Sequence, residues 1–356
     1  MGLCSLAVGN FRNLQAVEVS PAATLNIVYG ENAAGKTSLL EAIHFLARVR
    51  SFRPTRVEQL IRDGADSLWV RGQVLAGERR VTAAVQRAEG ATRVRIDGQD
   101  ARSLSSLARY FPLQVIHSES QRLLLDGPRV RRSFLNWTLF HVEPNYYATW
   151  RRYDRAVRQR NAALKVGDRR LLRAWEPELC QAGEGLDAMR TELVRLLDRQ
   201  LQPLLREWLP EQVISLSYRR GWMQELSLAQ ALERHREREL DTGYCMYGPH
   251  RSDLLVRAGG VEAQYRLSRG QQKLLVIGLL IAQARVAAEA AEYRPLLLID
   301  DLAAELDAQR REAVLAVLGR SPVQSFITCV EPESLPVAVE AVKWFHVEHG
   351  RYREVV

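Results

Sequence analysis

The stretch "TLNIVYGENAAGKTSLLEAI" constrains this chain more than any other. It follows the pattern G-x-x-x-x-G-K-[ST] from Gly30 to Thr37, with an apolar strand before it and an apolar-periodic helix after it, which is the context a phosphate-binding loop of an α/β fold requires. The two glycines let the backbone curl so that successive N–H groups face phosphate oxygens. Gly30, Glu31, Asn32, Ala33, Ala34, Gly35, Lys36, Thr37 and Ser38 are therefore the expected nucleotide contacts. Lys36 reaches the outer phosphates and assists catalysis, and the Thr37 hydroxyl ligates Mg²⁺. Of the 50 Lys and Arg residues only Lys36, Lys165, Lys273 and Lys343 are lysine, so the compact ammonium at position 36 stands out in an arginine-rich chain.

Such a loop needs an acidic residue at the end of a neighbouring strand to complete the Mg²⁺ shell. "RPLLLIDDLAAELD" supplies it, with Leu296 to Ile299 as a buried parallel strand closing on Asp300 and Asp301. Asp300 is assigned to the metal and Asp301 to polarising the attacking water. About 260 residues separate the two halves of this site, so an insertion must divide one nucleotide-binding head. Lobe one is expected over 1–117, a compact helical arm over 118–240 broken at Gly167, Gly183 and Pro203, and lobe two over 241–356.

The arm holds most of the positive charge. From Arg129 to Arg173 twelve basic residues face three acids, a surplus of nine where the whole chain carries +8. Arg151, Arg155 and Arg158 fall at i, i+4 and i+7 on one helix face, with Tyr146, Tyr147 and Trp150 just upstream. Together with Arg129, Arg131 and Arg132 they are the expected contacts to DNA phosphates, although a solvated helix face has the same composition. Cys4, Cys180, Cys245 and Cys329 lie far apart and read as reduced, buried thiols. The chain lacks an apolar run long enough to span a bilayer and a secretory start, so a cytoplasmic location is expected.

"YRLSRGQQKLLV" raises a separate question. It reads as a strand end at Tyr265 to Leu267, a tight turn, and a helix whose N-terminus offers Ser268, Gly270 and Gln271 to an anion. A serine-capped helix start is the competing reading. With "LSRGQ" ahead of the DD strand and "AAELD" after it, ending on Asp307, the sequence resembles the ABC-type ATPases. In that family the signature loop closes on the γ-phosphate of ATP held by an opposite subunit. "NFRNL", "RSFR", "GPRVRRSFLNW" and "YGPHRSDL" narrow the resemblance to the recombination mediators of its SMC-like DNA-repair branch.

The resemblance implies an ABC-type head with an inserted arm, Arg12 and Asn13 as further nucleotide contacts, and an ATP-dependent homodimer. It also implies binding to gapped or junction DNA, slow DNA-stimulated hydrolysis as a release timer, and work with RecO and RecR in loading RecA. Asn136 stands where the family pattern has aspartate, no Q-loop glutamine is clearly placed, Gln121 being a candidate, and Thr328 and Cys329 stand at the last core strand where many relatives carry a switch histidine. The nucleotide-binding subunit of a transporter and another SMC-like DNA-structural ATPase are the alternatives.

Overall fold

Alternating apolar residues give the opening segments strands with one buried face, and an unbroken apolar run gives the DD strand two. In the computed structural model, which describes residues 2–76, 78–290, 292–336 and 342–355, the chain divides into two units. The first is Met1–Ser120 with Lys273–Val356 and the second is Gln121–Gln272.

In the first unit, β1 (Gly2–Phe11), β2 (Leu14–Val19) and β3 (Leu25–Tyr29) lead to α1 (Lys36–Arg48). The strands β4 (Ser67–Ala76), β5 (Arg79–Ala88), β6 (Ala91–Ile96) and β7 (Gln99–Asp100) follow, then α2 (Leu104–Tyr110) and β8 (Leu113–Ile116). An antiparallel sheet has the order β2-β1-β4-β5-β6-β7. Its inner face shares one core with α1, where Leu6, Val8, Val70 and Val85 meet Leu40, Ile43 and Phe45.

The second unit holds α3 (Arg122–Leu125), α4 (Pro128–Val142), α5 (Tyr146–Val166), α6 (Arg169–Trp208), β9 (Ile214–Arg219), α7 (Leu228–Arg234) and α8 (Arg236–Thr242). It ends with β10 (Asp253–Ala258), β11 (Val261–Glu262), α9 (Ala263–Arg266) and the first residues of α10 (Arg269–Ala290). Gly167 ends α5 in a left-handed cap, as expected, but Gly183 and Pro203 do not interrupt α6, which runs for 40 residues through them and through Pro177. At 1.5 Å per residue this helix is roughly 60 Å long. A buried stripe of Leu172, Leu179, Leu186 and Leu193 explains the persistence. Each buried leucine is worth about 1.5–3 kcal/mol, against about 3 for an interior proline and about 1 for a glycine. Gly183 also has its own reason, since a Cβ there would lie 2.6 Å from Leu228 and 3.1 Å from the Tyr153 ring.

Two further expectations change. The break placed at 240 falls after Gln272, because β9 and β10 pair with each other and pack on α6 and α4. Tyr265 to Leu267 are not a strand end: Ala263–Arg266 is a single helical turn, closed by Leu267 N–H to the Ala263 carbonyl.

Returning to the first unit, the chain adds β12 (Leu296–Ile299), α11 (Leu302–Glu305), α12 (Ala308–Gly319), β13 (Gln324–Cys329) and a hairpin of β14 (Val342–Glu348) and β15 (Arg351–Val355). The second sheet has the order β15-β14-β3-β13-β12-β8 and is parallel except for the hairpin. All four cysteines are unbridged, Cys245 and Cys329 buried but Cys4 and Cys180 partly exposed. Among the described residues no helix is long and apolar enough to cross a membrane.

Candidate functional site

Parallel strands present their C-terminal ends along one edge, and α/β sheets bind ligands there. Here β8, β12, β13 and β3 align so that Ile116, Ile299, Ile327 and Ile27 are in register, which brings the residues after each strand together. They line a cleft of about 770 Å³ with Asn32, Ala33, Gly35, Lys36, Thr37 and Ser38 on one side and Asp300, Asp301 and Thr328 on the other. The motifs at 30–37 and 300–301 are thus brought to one place, as their chemistry requires.

The local geometry follows from residue type. Gly30 has φ 146°, and a Cβ there would lie 2.2 Å from the Val347 carbonyl oxygen, so only glycine fits. Gly35, at φ 123°, starts α1 without a side-chain cap. Lys36 folds back over the loop and donates from Nζ to the carbonyls of Gly30 at 2.6 Å and Glu31 at 2.8 Å. Burial lowers its pKa, while Asp301, Cys329 and Asp300 pull the other way. Thr37 donates to Asp300 Oδ1 at 2.8 Å, and Thr328 donates to the same oxygen at 3.0 Å.

Thr37 Oγ1 and Asp300 offer hard oxygen donors side by side. Among the described residues no group of three or more His, Cys, Asp or Glu side chains is placed to hold a metal. The Thr37 and Asp300 oxygens are of the kind that hold Mg²⁺, which keeps several waters and is bound through one or two protein oxygens plus substrate phosphates. Asp301 has left-handed backbone (φ 56°, ψ 63°), and its side chain accepts from Ala304 N–H at 3.3 Å, capping α11. Its own N–H donates to Thr328 Oγ1 at 2.8 Å. Thr328 therefore positions both aspartates.

Several expected site residues have other partners. Arg12 lines the cleft, but it makes a two-pronged ion pair with buried Glu41 (3.0 and 2.9 Å) and also bonds Thr55 and the Gln59 carbonyl. It builds the wall of the cleft, with four of its five N–H donors taken by these bonds. Asn13 braces the loop, donating to the Ala33 carbonyl at 3.1 Å and accepting from Ser38 at 2.8 Å. Ser268 and Gln271 cap α10 reciprocally, Ser268 N–H to Gln271 Oε1 at 2.9 Å and Gln271 N–H to Ser268 Oγ at 3.4 Å. Gly270 lies in the first turn of this helix. Asp307 caps α12 through Arg310 N–H at 3.0 Å.

The basic arm divides into two groups. Arg129, Arg151, Arg155 and Arg158 are exposed. Arg151 lies over Tyr147, Arg155 over Trp175, and Arg158 pairs with Asp154 one turn away. Arg131 and Arg132 are not available in the same way, which corrects the expectation for them. Arg131 grips buried Asp253 with two bonds (2.8 and 3.0 Å) and donates a third to the Asp126 carbonyl, while Arg132 donates to the Ser252 carbonyl at 2.8 Å. Arg160, counted in the same charge surplus, is fully buried between Glu239 and Glu176.

Three site residues escaped sequence reasoning as participants. Arg53 pairs with Asp300 Oδ2 at 3.4 Å. Its only signal was the "RSFR" string. Thr328 stood out solely as the absence of a histidine, and Tyr352, which donates to the Gly35 carbonyl at 2.7 Å, left no signal at all.

With this geometry in place, comparison with known proteins gives the family. A family model described as the RecF/RecN/SMC N terminal domain matches residues 2–353. The DNA replication and repair protein RecF of Shewanella oneidensis is 38% identical over 361 residues, covering 99% of both chains. This chain belongs to the RecF family. Its counterpart of the same description in Pseudomonas fluorescens is 42% identical over 358 residues, covering 99% of this chain and 98% of the relative. Among solved structures, the recombination mediator protein RecF with ATP, from the RecFOR pathway, superposes with a TM-score of 0.83 over 100% of this chain and 98% of that one, at 24% identity. An SMC head bound to the C-winged helix domain of ScpA gives 0.64 at 14% identity, covering 100% and 98%. The RecF fold and the SMC-like ATPase head fold are therefore the same fold as this one.

Proposed function

We propose that this RecF-family chain is an ATP-dependent DNA-binding protein of replication and recombinational repair, which dimerises around two ATP molecules and is released by slow hydrolysis. One observation supports this most: the Thr37 hydroxyl bonds Asp300 across 263 positions of sequence, uniting the phosphate loop and the carboxylate strand in one cleft. In this reading Lys36 and the loop N–H groups bind the phosphates, Thr37 and Asp300 hold Mg²⁺, and Asp301 orients water. When bound, the metal supplies charge neutralisation to the transferring phosphoryl group. Ser268, Gly270 and Gln271, with Asp307, meet the ATP of a second copy. Asp301 is one methylene shorter than a glutamate and has Thr328 rather than a histidine for company, which favours slow turnover; its stimulation by DNA is part of the same proposal.

Arg129, Arg151, Arg155 and Arg158 contact DNA phosphates without reading sequence. RecO and RecR act with the chain on gapped or junction DNA, and RecA benefits indirectly. Sedimentation with and without MgATP and DNA tests the reading. A monomer that becomes a dimer with ATP, and stays one when bound to DNA, is expected, with Lys36→Met abolishing the change. A wild-type chain that stays monomeric with ATP sinks it.

A further inference from the structure

Three consecutive carbonyls of the phosphate loop are each taken by a donor from elsewhere in the first unit. Asn13 Nδ2 donates to Ala33, the Gly350 N–H to Ala34 at 2.8 Å, and the Tyr352 hydroxyl to Gly35 at 2.7 Å. A trans peptide is planar, with its C=O and N–H pointing in opposite directions. Fixing the carbonyls of Ala34 and Gly35 therefore fixes where the N–H groups of Gly35 and Lys36 aim. These are two of the groups that a G-x-x-x-x-G-K-[ST] loop presents to phosphate.

Two of the three donors come from the C-terminal hairpin, 317 positions away in the case of Tyr352. The hairpin is built for this contact. Its turn places His349 (φ 48°) and Gly350 (φ 74°) in left-handed conformation, as a two-residue turn of matching twist requires, and a Cβ on Gly350 would lie 2.4 Å from the Asn13 carbonyl oxygen. β14 runs parallel to β3 with His346 beside Tyr29, their rings 5.1 Å apart, and the Val347 carbonyl occupies the space a side chain on Gly30 would need. The hairpin thus touches both ends of the loop. Burial pushes the Tyr352 phenol well above its ordinary pKa, so it stays a donor at any working pH.

We propose that the C-terminal hairpin is a working part of the nucleotide site, with Tyr352 a positioning residue whose hydroxyl holds the Gly35–Lys36 peptide in its anion-binding orientation. This rests on the nucleotide reading above. Tyr352→Phe keeps the ring and removes only the donor. Affinities for MgATP, ADP and inorganic pyrophosphate, measured by calorimetry, should all weaken by a similar factor of about two to ten, the range for one lost hydrogen bond. The three share the loop that cradles the inner phosphates. Turnover at saturating ATP should hold while KM rises, and amide exchange at Gly35 and Lys36 should quicken in the nucleotide-free variant.

A lowered melting temperature with unchanged affinities would assign Tyr352 to the fold alone and overturn the proposal, as would a loss confined to ATP. Wild-type protein that binds neither ATP nor pyrophosphate would sink the nucleotide reading first, and this inference with it.

Discussion

Reversing Arg151, Arg155 and Arg158 to glutamate tests where DNA lies. All three are exposed on α5, and their contacts within the chain are weak: two ring contacts at 5.9 and 5.6 Å and one surface pair with Asp154. Losing that pair costs about 0.5 kcal/mol, so the fold should survive. If each arginine neutralises one phosphate, the slope of log K against log salt should flatten by about 0.9 per contact, about 2.7 for the three. Between about 50 and about 200 mM salt, three such contacts account for a roughly 40-fold change in affinity. Fluorescence anisotropy with several DNA sequences over that range gives the slope directly. The variant should bind all sequences about equally poorly and bind ATP normally, since none of the three lines the cleft. A slope unchanged from wild type would refute the assignment and leave α5 a solvated helix face.

Arg131→Ala should behave differently: it removes both short bonds to Asp253, 3% exposed, and leaves it the longer Arg219 contact at 3.4 Å. A cost of about 3 kcal/mol, read as a melting shift of roughly 6–12 °C, is expected, and a shift under a degree or two would contradict the pairing. Ser268→Arg should leave ATP binding by the monomer intact but block ATP-driven dimerisation in sedimentation; loss of monomer binding would argue against the role in trans. Asp301→Asn should preserve ATP binding and the ATP dimer while phosphate release stops, and continued turnover would remove Asp301 from the mechanism.

A pH prediction follows from His44 and His250, each held neutral by burial with a pKa lowered to about 4. The unfolded chain takes up their protons first, so stability is full above about pH 6.5 and falls toward pH 4, by up to about 1.4 kcal/mol per pH unit for each. Melting curves across that range should show the decline, and His250→Asn should reduce it; a flat profile would refute it.

The sequence disclosed what depends on short strings. The loop at Gly30–Thr37, the strand ending in Asp300 and the edge they share could all be read because strand, glycine turn and helix lie within a few residues of each other. What remained hidden depends on partners far away. Arg131 looked like every other arginine until Asp253 appeared 122 positions on, and Arg12 until α1 turned Glu41 toward it. Gly183 and Pro203 carry local signals to break a helix, but the buried leucine stripe of α6 outweighs them. Asn136 accepts at 2.9 Å from Arg190, a buried guanidinium that also donates to the Pro249 carbonyl and the Ser252 hydroxyl, and nothing near position 136 announces that role.

The strand order β15-β14-β3-β13-β12-β8 also bears on how the chain is born. β3, which carries the phosphate loop, sits between β13 and β14, two strands that a ribosome makes about 300 residues after it. At about 5–20 residues per second, it waits for between about 15 and 60 s with both edges unpaired. No nucleotide site exists during that interval, because Asp300 and the hairpin that braces the loop have not yet emerged. A chain stalled before residue 324 would expose an apolar strand open to pairing on either side.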